Sequence, residues 1–292
     1  WVSTSGKYLK LFEEKIKKIT KAKFAIPVLN GTIGLHVSMI LSGVKKNDEV
    51  IVPTITFIAT VNAIKYVGAN PVFMDVDQYL NIDEEKTIEF ILKKTKYVRG
   101  KTLNIKTRKI ISALVIVHTF GNAAKMEKLY HLCKKRNIKL IEDAAESLGT
   151  KYISGKFKNK FTGTIGDFGV FSFNGNKIIT SGNGGVIVTN NKKYYLKANY
   201  LITQAKDNGL NFIHNEVGFN YKLSNISAAL GLAQLEQLEY FIKKKRAIRN
   251  YYVKKTEKIK ELEIMASPEY SINNNWLNLI KIKKNKKIIS II

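Results

Sequence analysis

Apolar residues recur along this chain in two rhythms, one of helical spacing and one of short β-branched runs, and the two alternate. Leu9, Phe12, Ile16 and Ile19 fall on one helical face and predict an amphipathic helix over residues 7–20. An apolar run over 24–29 predicts a strand, and Asn30-Gly31-Thr32 then opens a second helix to about residue 42. The rhythm repeats with a strand over 49–52 closed by Pro53, a helix to about 67, a strand over 71–76 and a helix over 83–95. Residues 96–109 are polar and basic and read as a solvated excursion. Residues 110–117 form an unbroken apolar run, the mark of a strand covered on both faces. A helix over 123–137 and a strand over 138–141 follow. Strands are predicted again at 168–173 and 186–189, and a helix at 192–202. A long helix starts near Ser224, with Ile226, Ala229, Leu230, Ala233, Leu235 and Leu238 as its apolar face. Residues 262–292 read as short strands around a lysine-rich turn.

This alternation predicts an α/β fold with a mostly parallel central sheet flanked by helices. At 292 residues and 45% hydrophobic content, the chain holds one large domain, or a large domain and part of a second. No apolar run approaches the length of a membrane span. The single cysteine, Cys133, has no partner for an internal disulfide, which fits a reducing cytoplasm. The formal charge of +26 invites a nucleic-acid reading, which the residue types argue against. Arginine occurs only at Arg99, Arg108, Arg136, Arg246 and Arg249, and lysine, spread along nearly every helix, supplies the rest. Base reading and bidentate phosphate clamping favour arginine. Attraction for anionic small molecules follows from the charge all the same.

Chemistry concentrates in GDFGVFSFNGNKIITSGNGG, residues 166–185. It places one lysine, Lys177, between a β-run and a turn containing Gly182, Gly184 and Gly185. A partly desolvated lysine is a nucleophile toward aldehydes, and glycines let a backbone pass close to a ligand; a surface lysine in a hairpin is the plainer alternative. Upstream, the strand–NGT–helix order makes either an anion site, with the Thr32 hydroxyl, or a simple helix N-cap by Asn30 or Thr32. Phe57 stands where a helix begins, to face an aromatic ligand or to pack in the core. Glu142 and Asp143 end a predicted strand, where ligands gather in open α/β sheets. Asp143 reads equally as the partner of a cationic ring nitrogen and as a helix N-cap. Asn220 and Tyr221 lie in a polar junction before the long helix.

Taken in order, WVSTSGKYLKLFEEK, the NGT turn, PTITFIATVNAI, PVFMDVD, EDAAESLG, SFNGNKIITSGNGG and GFNYKLSNISAALGLAQLE resemble the DegT/DnrJ/EryC1/StrS family of sugar aminotransferases. The resemblance implies the type I fold of enzymes that use pyridoxal 5'-phosphate (PLP). The wording of YLNID, HTFGN, ESLG, TQAKD and HNEVGFNY is similar to one branch of it. That branch aminates a UDP-linked 4-keto-6-deoxy N-acetyl sugar, with L-glutamate as donor, on the way to N-acetylbacillosamine or legionaminic acid. At matching positions, Lys177 is implied as the residue that holds PLP and moves the proton, and Asp143 as the partner of the pyridine nitrogen. Glu146 is implied to face the ring hydroxyl. Thr32, the Ile33 amide and Ser172 are implied as the phosphate cradle, and Phe57 as the ring stack. Asn220 is implied to reach the phosphate of a neighbouring subunit in a homodimer, with His214 and Tyr221 near the substrate. No metal, nucleic acid or membrane is implied. Lys222 stands where many relatives have arginine. Members of the family continue past residue 292 and begin before WVST, so residues 1–240 are expected as the large PLP-binding domain and 241–292 as the start of an incomplete small domain. A catalytically silent dimer partner is the alternative this leaves open.

Overall fold

The computed structural model describes residues 2–208, 210–282 and 287–291, the last of these as backbone. The chain opens with α1 (Lys7–Thr20), β1 (Phe24–Val28), α2 (Gly31–Leu41), β2 (Glu49–Pro53), α3 (Ile58–Tyr66), β3 (Asn70–Met74) and α4 (Glu84–Lys93). A hairpin of β4 (Thr95–Val98) and β5 (Lys101–Asn104) leads to β6 (Ile111–Val117), α5 (Glu127–Lys135), β7 (Lys139–Asp143) and the short β8 (Lys151–Tyr152). Then come β9 (Phe168–Ser172), β10 (Gly185–Thr189), α6 (Lys192–Ile202), α7 (Asn225–Glu236) and α8 (Leu238–Thr256). The end carries β11 (Leu262–Ile264), β12 (Ser271–Ile272), β13 (Asn278–Ile282) and β14 (Lys287–Ile291). No helix among the described residues is long and apolar enough to cross a membrane.

Seven strands form the central sheet in the order β1-β10-β9-β7-β6-β2-β3. β9, β7, β6, β2 and β3 run parallel, and β10 is antiparallel to both its neighbours. Alternate side chains along each strand sort into cores on opposite faces. Ala113, Val115 and Val117 of β6, Ile141 of β7, Val170 of β9 and Ile187 of β10 pack in one core with Leu35, Val37 and Met39 of α2 and Ala63 and Ile64 of α3. Leu114, Ile116 and Leu140 face the opposite core with Ile91 of α4 and Leu129 and Cys133 of α5. Beside them Phe171, Val186 and Val188 pack under Leu9, Phe12 and Ile16 of α1. The parallel strands therefore all deliver their carboxyl ends to one edge of the sheet.

Three expectations are corrected. Residues 96–109 are not a mere excursion, because β4 and β5 pair there in register from Thr95↔Asn104 to Val98↔Lys101. The helix expected from 123 starts only at Glu127. Ala123 and Ala124 are buried, and side chains take their backbone groups: Asn81 and Tyr270 donate to the Ala123 carbonyl, Tyr152 donates to that of Ala124, and the Ala124 amide donates to His118. The long helix from Ser224 is broken at Gln237, which turns Leu238 into the same core as Leu235, with Phe241 and Ile242 of α8 packed against it. Ser224 caps it, accepting from the Ser227 amide (3.2 Å). Beyond α8, β11, β13 and β14 form a small antiparallel sheet, while β12 returns to pair with β8. The lysine-rich turn expected between the last strands falls at 283–286, outside the described residues.

Candidate active site

A cavity of about 300 Å³ opens at the carboxyl edge of the sheet. Its wall comes from the β1–α2 turn (Asn30, Gly31, Thr32), the start of α3 (Thr56, Phe57), the end of β7 (Asp143, Glu146) and the β9–β10 connection (Ser172, Asn174, Lys177, Asn183), with Trp276 closing one side.

Lys177 sits in a turn whose amide bonds back to the Asn174 carbonyl (3.0 Å). The turn is pegged by Phe173 and Ile179, both fully buried, and closed by Phe173 N–H to the Gly184 carbonyl (2.8 Å). Gly182 takes the left-handed φ of 77° that the return to β10 requires. Gly185, expected to let a ligand close, instead backs onto the Asn30–Gly31 backbone, where a Cβ would sit 2.5 Å from the Asn30 carbonyl carbon. Its smallness holds the opening of α2 against the lysine-bearing strand pair. The Lys177 side chain is only 13% exposed, and its Nζ lies 3.7 Å from Glu146 Oε1.

Asp143 ends β7 on the face shared with Ile141 and Val117, so its carboxylate enters the cavity. Oδ2 accepts from Thr60 Oγ1 (2.6 Å), itself 2.8 Å from Thr56 Oγ1, and Oδ1 accepts from the Ala145 amide (3.1 Å). No helix follows β7, so the N-cap alternative for Asp143 falls away. Glu142, one residue earlier, points to the other face and is fully buried. It accepts from the amides of Gly163 (2.7 Å), Ile165 (2.6 Å) and Gly166 (2.6 Å), and from His118 Nε2 (2.9 Å). His118 Nδ1 accepts from the Ala124 amide, which leaves Nε2 as the protonated nitrogen.

Glu146 Oε2 accepts from the Phe120 amide (2.6 Å), and Phe120 holds a left-handed φ of 55° that aims that amide at it. Burial pushes the Glu146 carboxyl above the usual carboxylate range, with the Lys177 cation pulling the other way. Thr32 lies on the first turn of α2, and Ser172 meets it from the end of β9. The Ile33 amide, expected in the cradle, is taken by the Asn30 side chain (2.9 Å), which leaves the cavity edge to Gly31 and Thr32. Phe57 is 72% exposed at the cavity wall, so core packing is not its fate.

Asn220, Tyr221 and His214 do not line the cavity of their own chain. Asn220 is exposed and bridges to Thr203; Tyr221 stacks on Phe219 (4.7 Å between centroids); His214 Nδ1 donates to the Gln204 carbonyl (2.7 Å). Lys222 bridges to Val28 beside the site. Several contributors were missed, among them Thr56, Asn174 and Asn183 of the wall. Thr60, the brace on Asp143, had a weak signal in its i, i+4 spacing from Thr56. Trp276 had none, since its partner Asn176 is 100 residues away.

A helix opening, a braced carboxylate and a shielded amine thus converge at one edge of the sheet of an α/β protein. The chain belongs to the DegT/DnrJ/EryC1/StrS aminotransferase family, whose model matches residues 1–290. Enzymes of this family depend on PLP. The chain is 41% identical over 254 residues, 87% of its length, to the GDP-perosamine synthase of Escherichia coli O157:H7, and it spans 64% of that relative's length. It is 32% identical over 288 residues, 98% of its length and 68% of the relative's, to a UDP-4-amino-4,6-dideoxy-N-acetyl-beta-L-altrosamine transaminase of Campylobacter jejuni. A crystal structure of a DegT DnrJ EryC1 StrS aminotransferase from Brucella abortus superposes with a TM-score of 0.84 at 26% identity, over 95% of this chain and 70% of that one.

Proposed function

We propose that this chain carries the PLP site of an aminotransferase that moves the amino group of L-glutamate onto the keto carbon of a nucleotide-linked 4-keto-6-deoxy sugar. The observation that carries the reading is the convergence of Lys177, Glu146 and Asp143 on one cavity beside the opening of α2. The donor set fits the cofactor. Gly31 and Thr32 at the start of α2, with Ser172, would take the phosphate, Phe57 the ring face, Asp143 the ring nitrogen and Glu146 the ring hydroxyl. Bound there, PLP supplies an electron sink for the carbanion left when the donor's Cα–H bond breaks. Lys177 Nζ would take up that proton and later release it. Asp143, braced by Thr60 Oγ1 and the Ala145 amide, would face the ring nitrogen with its carboxylate. Glu146 sits 3.7 Å from Lys177 Nζ and orients the amine.

For the acceptor, the reading is UDP-2-acetamido-2,6-dideoxy-hexos-4-ulose, in the making of bacillosamine- or legionaminic-acid-type surface glycans in the cytoplasm. A GDP-linked keto-sugar is the second reading, favoured by the 41% identity to a GDP-perosamine synthase. The functional unit is a homodimer with shared sites. Supporting this, Asn220 is exposed outside its own cavity, next to a loop that presents Leu210 (91% exposed), Phe212 (70%) and Val217 (81%). Residues 241–292 are read as belonging to the small domain. The test is mass spectrometry of products from a panel of nucleotide keto-sugars with glutamate, together with borohydride fixing of PLP and peptide mapping. PLP fixed on Lys177 and a sugar product heavier by one amine-for-ketone exchange are expected. A native protein that fixes no PLP on Lys177 overturns the reading.

A further inference from the structure

Three of the four residues in the turn that carries the lysine, Asn174, Gly175 and Asn176, are exposed, yet the Lys177 side chain is only 13% exposed. The turn does not shield its own lysine. The cover comes from the far end of the chain: the Trp276 ring lies over Lys177 with its centroid 4.3 Å from Nζ, and its indole N–H donates to the Asn176 carbonyl (2.7 Å). Trp276 is itself aimed. Its amide donates to Asn274 Oδ1 (3.0 Å), and Asn274 Nδ2 donates to the carbonyls of Glu146 (2.8 Å) and Leu148 (3.0 Å). The Asn274 amide donates to Thr150 Oγ1 (3.1 Å), and the residue is fully buried. One asparagine thus ties together the two groups that face the lysine amine, the Trp276 ring and the Glu146 carboxylate.

We propose that Trp276 is a positioning residue for Lys177, held by Asn274, and that it confines the amine to the side of the cavity shared with Glu146 and Asp143. A lysine side chain left free samples many rotamers and swings into water. An aromatic face over the ammonium and a tether on the neighbouring carbonyl remove those outward states. The inference deepens the aminotransferase reading and rests on it for its catalytic meaning, while the cover itself is measurable without the cofactor.

The test labels the cofactor-free protein with trinitrobenzenesulfonate and follows each lysine by peptide mass spectrometry. Exposed Lys65 serves as the reference, and Lys151, on the strand paired with β12, reports general loosening of the C-terminal segment. Trp276→Ala is expected to raise labelling of Lys177 relative to Lys65 about tenfold, and Trp276→Phe, which keeps a ring but loses the tether, about threefold. Asn274→Asp keeps the acceptor for the Trp276 amide but loses both donors, and raises it as well. Lys151 stays unchanged in each. A Lys177 ratio within about twofold of native in Trp276→Ala, or a parallel rise at Lys151, overturns the proposal. Should Trp276→Ala lose its cooperative unfolding transition, Trp276→Phe decides by the same criterion. Fixing PLP on Lys177 of the native protein separates the two readings. PLP fixed with a flat labelling ratio sinks only the positioning role, and a raised ratio with no PLP fixed sinks only the aminotransferase.

Discussion

Glu142 and Asp143 are adjacent carboxylates with opposite employment, and the cause is the two-residue period of a strand. The first is turned to the α5 face and spent on three backbone amides and His118. The second is turned into the cavity with only Thr60 and the Ala145 amide on it. Asp143→Asn keeps the size and the Thr60 contact but removes the countercharge, and should lower transamination roughly 10²–10³-fold with little change in unfolding midpoint, read by steady-state kinetics and urea titration. Much at this scale was legible. Lys177 stood out as one lysine between two β-runs and glycines, and Asp143 as an acid ending a strand. What was not legible depends on contacts distant in sequence, the Trp276 cover above all, whereas the Asn30 cap that takes the Ile33 amide was one of the two readings of the NGT turn.

Buried polar groups, more than apolar stripes, join the elements around the site. Glu142 fastens the loop 163–166 to β7, so Glu142→Ala strands buried donors and should cost about 3–5 kcal/mol in urea unfolding. Gly185 sets the spacing between β10 and the opening of α2. In Gly185→Ala the new methyl would meet the backbone of Asn30 and Gly31 at 2.5–2.7 Å. It should displace the helix opening and weaken PLP binding roughly tenfold in an absorbance titration. α1 and the inner strands followed from apolar periodicity because burial enforces it, whereas Ile226 and Leu230, expected on the apolar face of the long helix, are 55% and 45% exposed. The β4–β5 hairpin escaped that logic because its inward residues are polar. Thr102 donates to the Arg136 carbonyl (2.6 Å), and Asn104 Nδ2 donates to Glu49 Oε2 (2.8 Å). No count of hydrophobic positions detects such a strand.

Over the whole molecule a +26 chain should favour its carboxylates, yet burial pushes Glu13 on α1 up to about 7, against the pull of Lys222, Lys17 and Lys10. A carboxyl with a raised native pKa makes the fold less stable as pH climbs from the unfolded value of 4.5 through 7, because the native state holds the proton longer. Glu13→Gln should therefore add about 1–2 kcal/mol at pH 8, after screening by the solvent it partly faces, and change little at pH 4, by denaturant melts at both values. The same excess charge favours anionic ligands over cationic ones at low salt. The pairing of Asn176 with Trp276, 100 residues downstream, also carries a consequence for biogenesis. At about 5–20 residues per second a ribosome needs roughly 5–20 s to travel between them. Through that interval the nascent polypeptide has made Lys177 but not yet the indole that covers it in the folded chain.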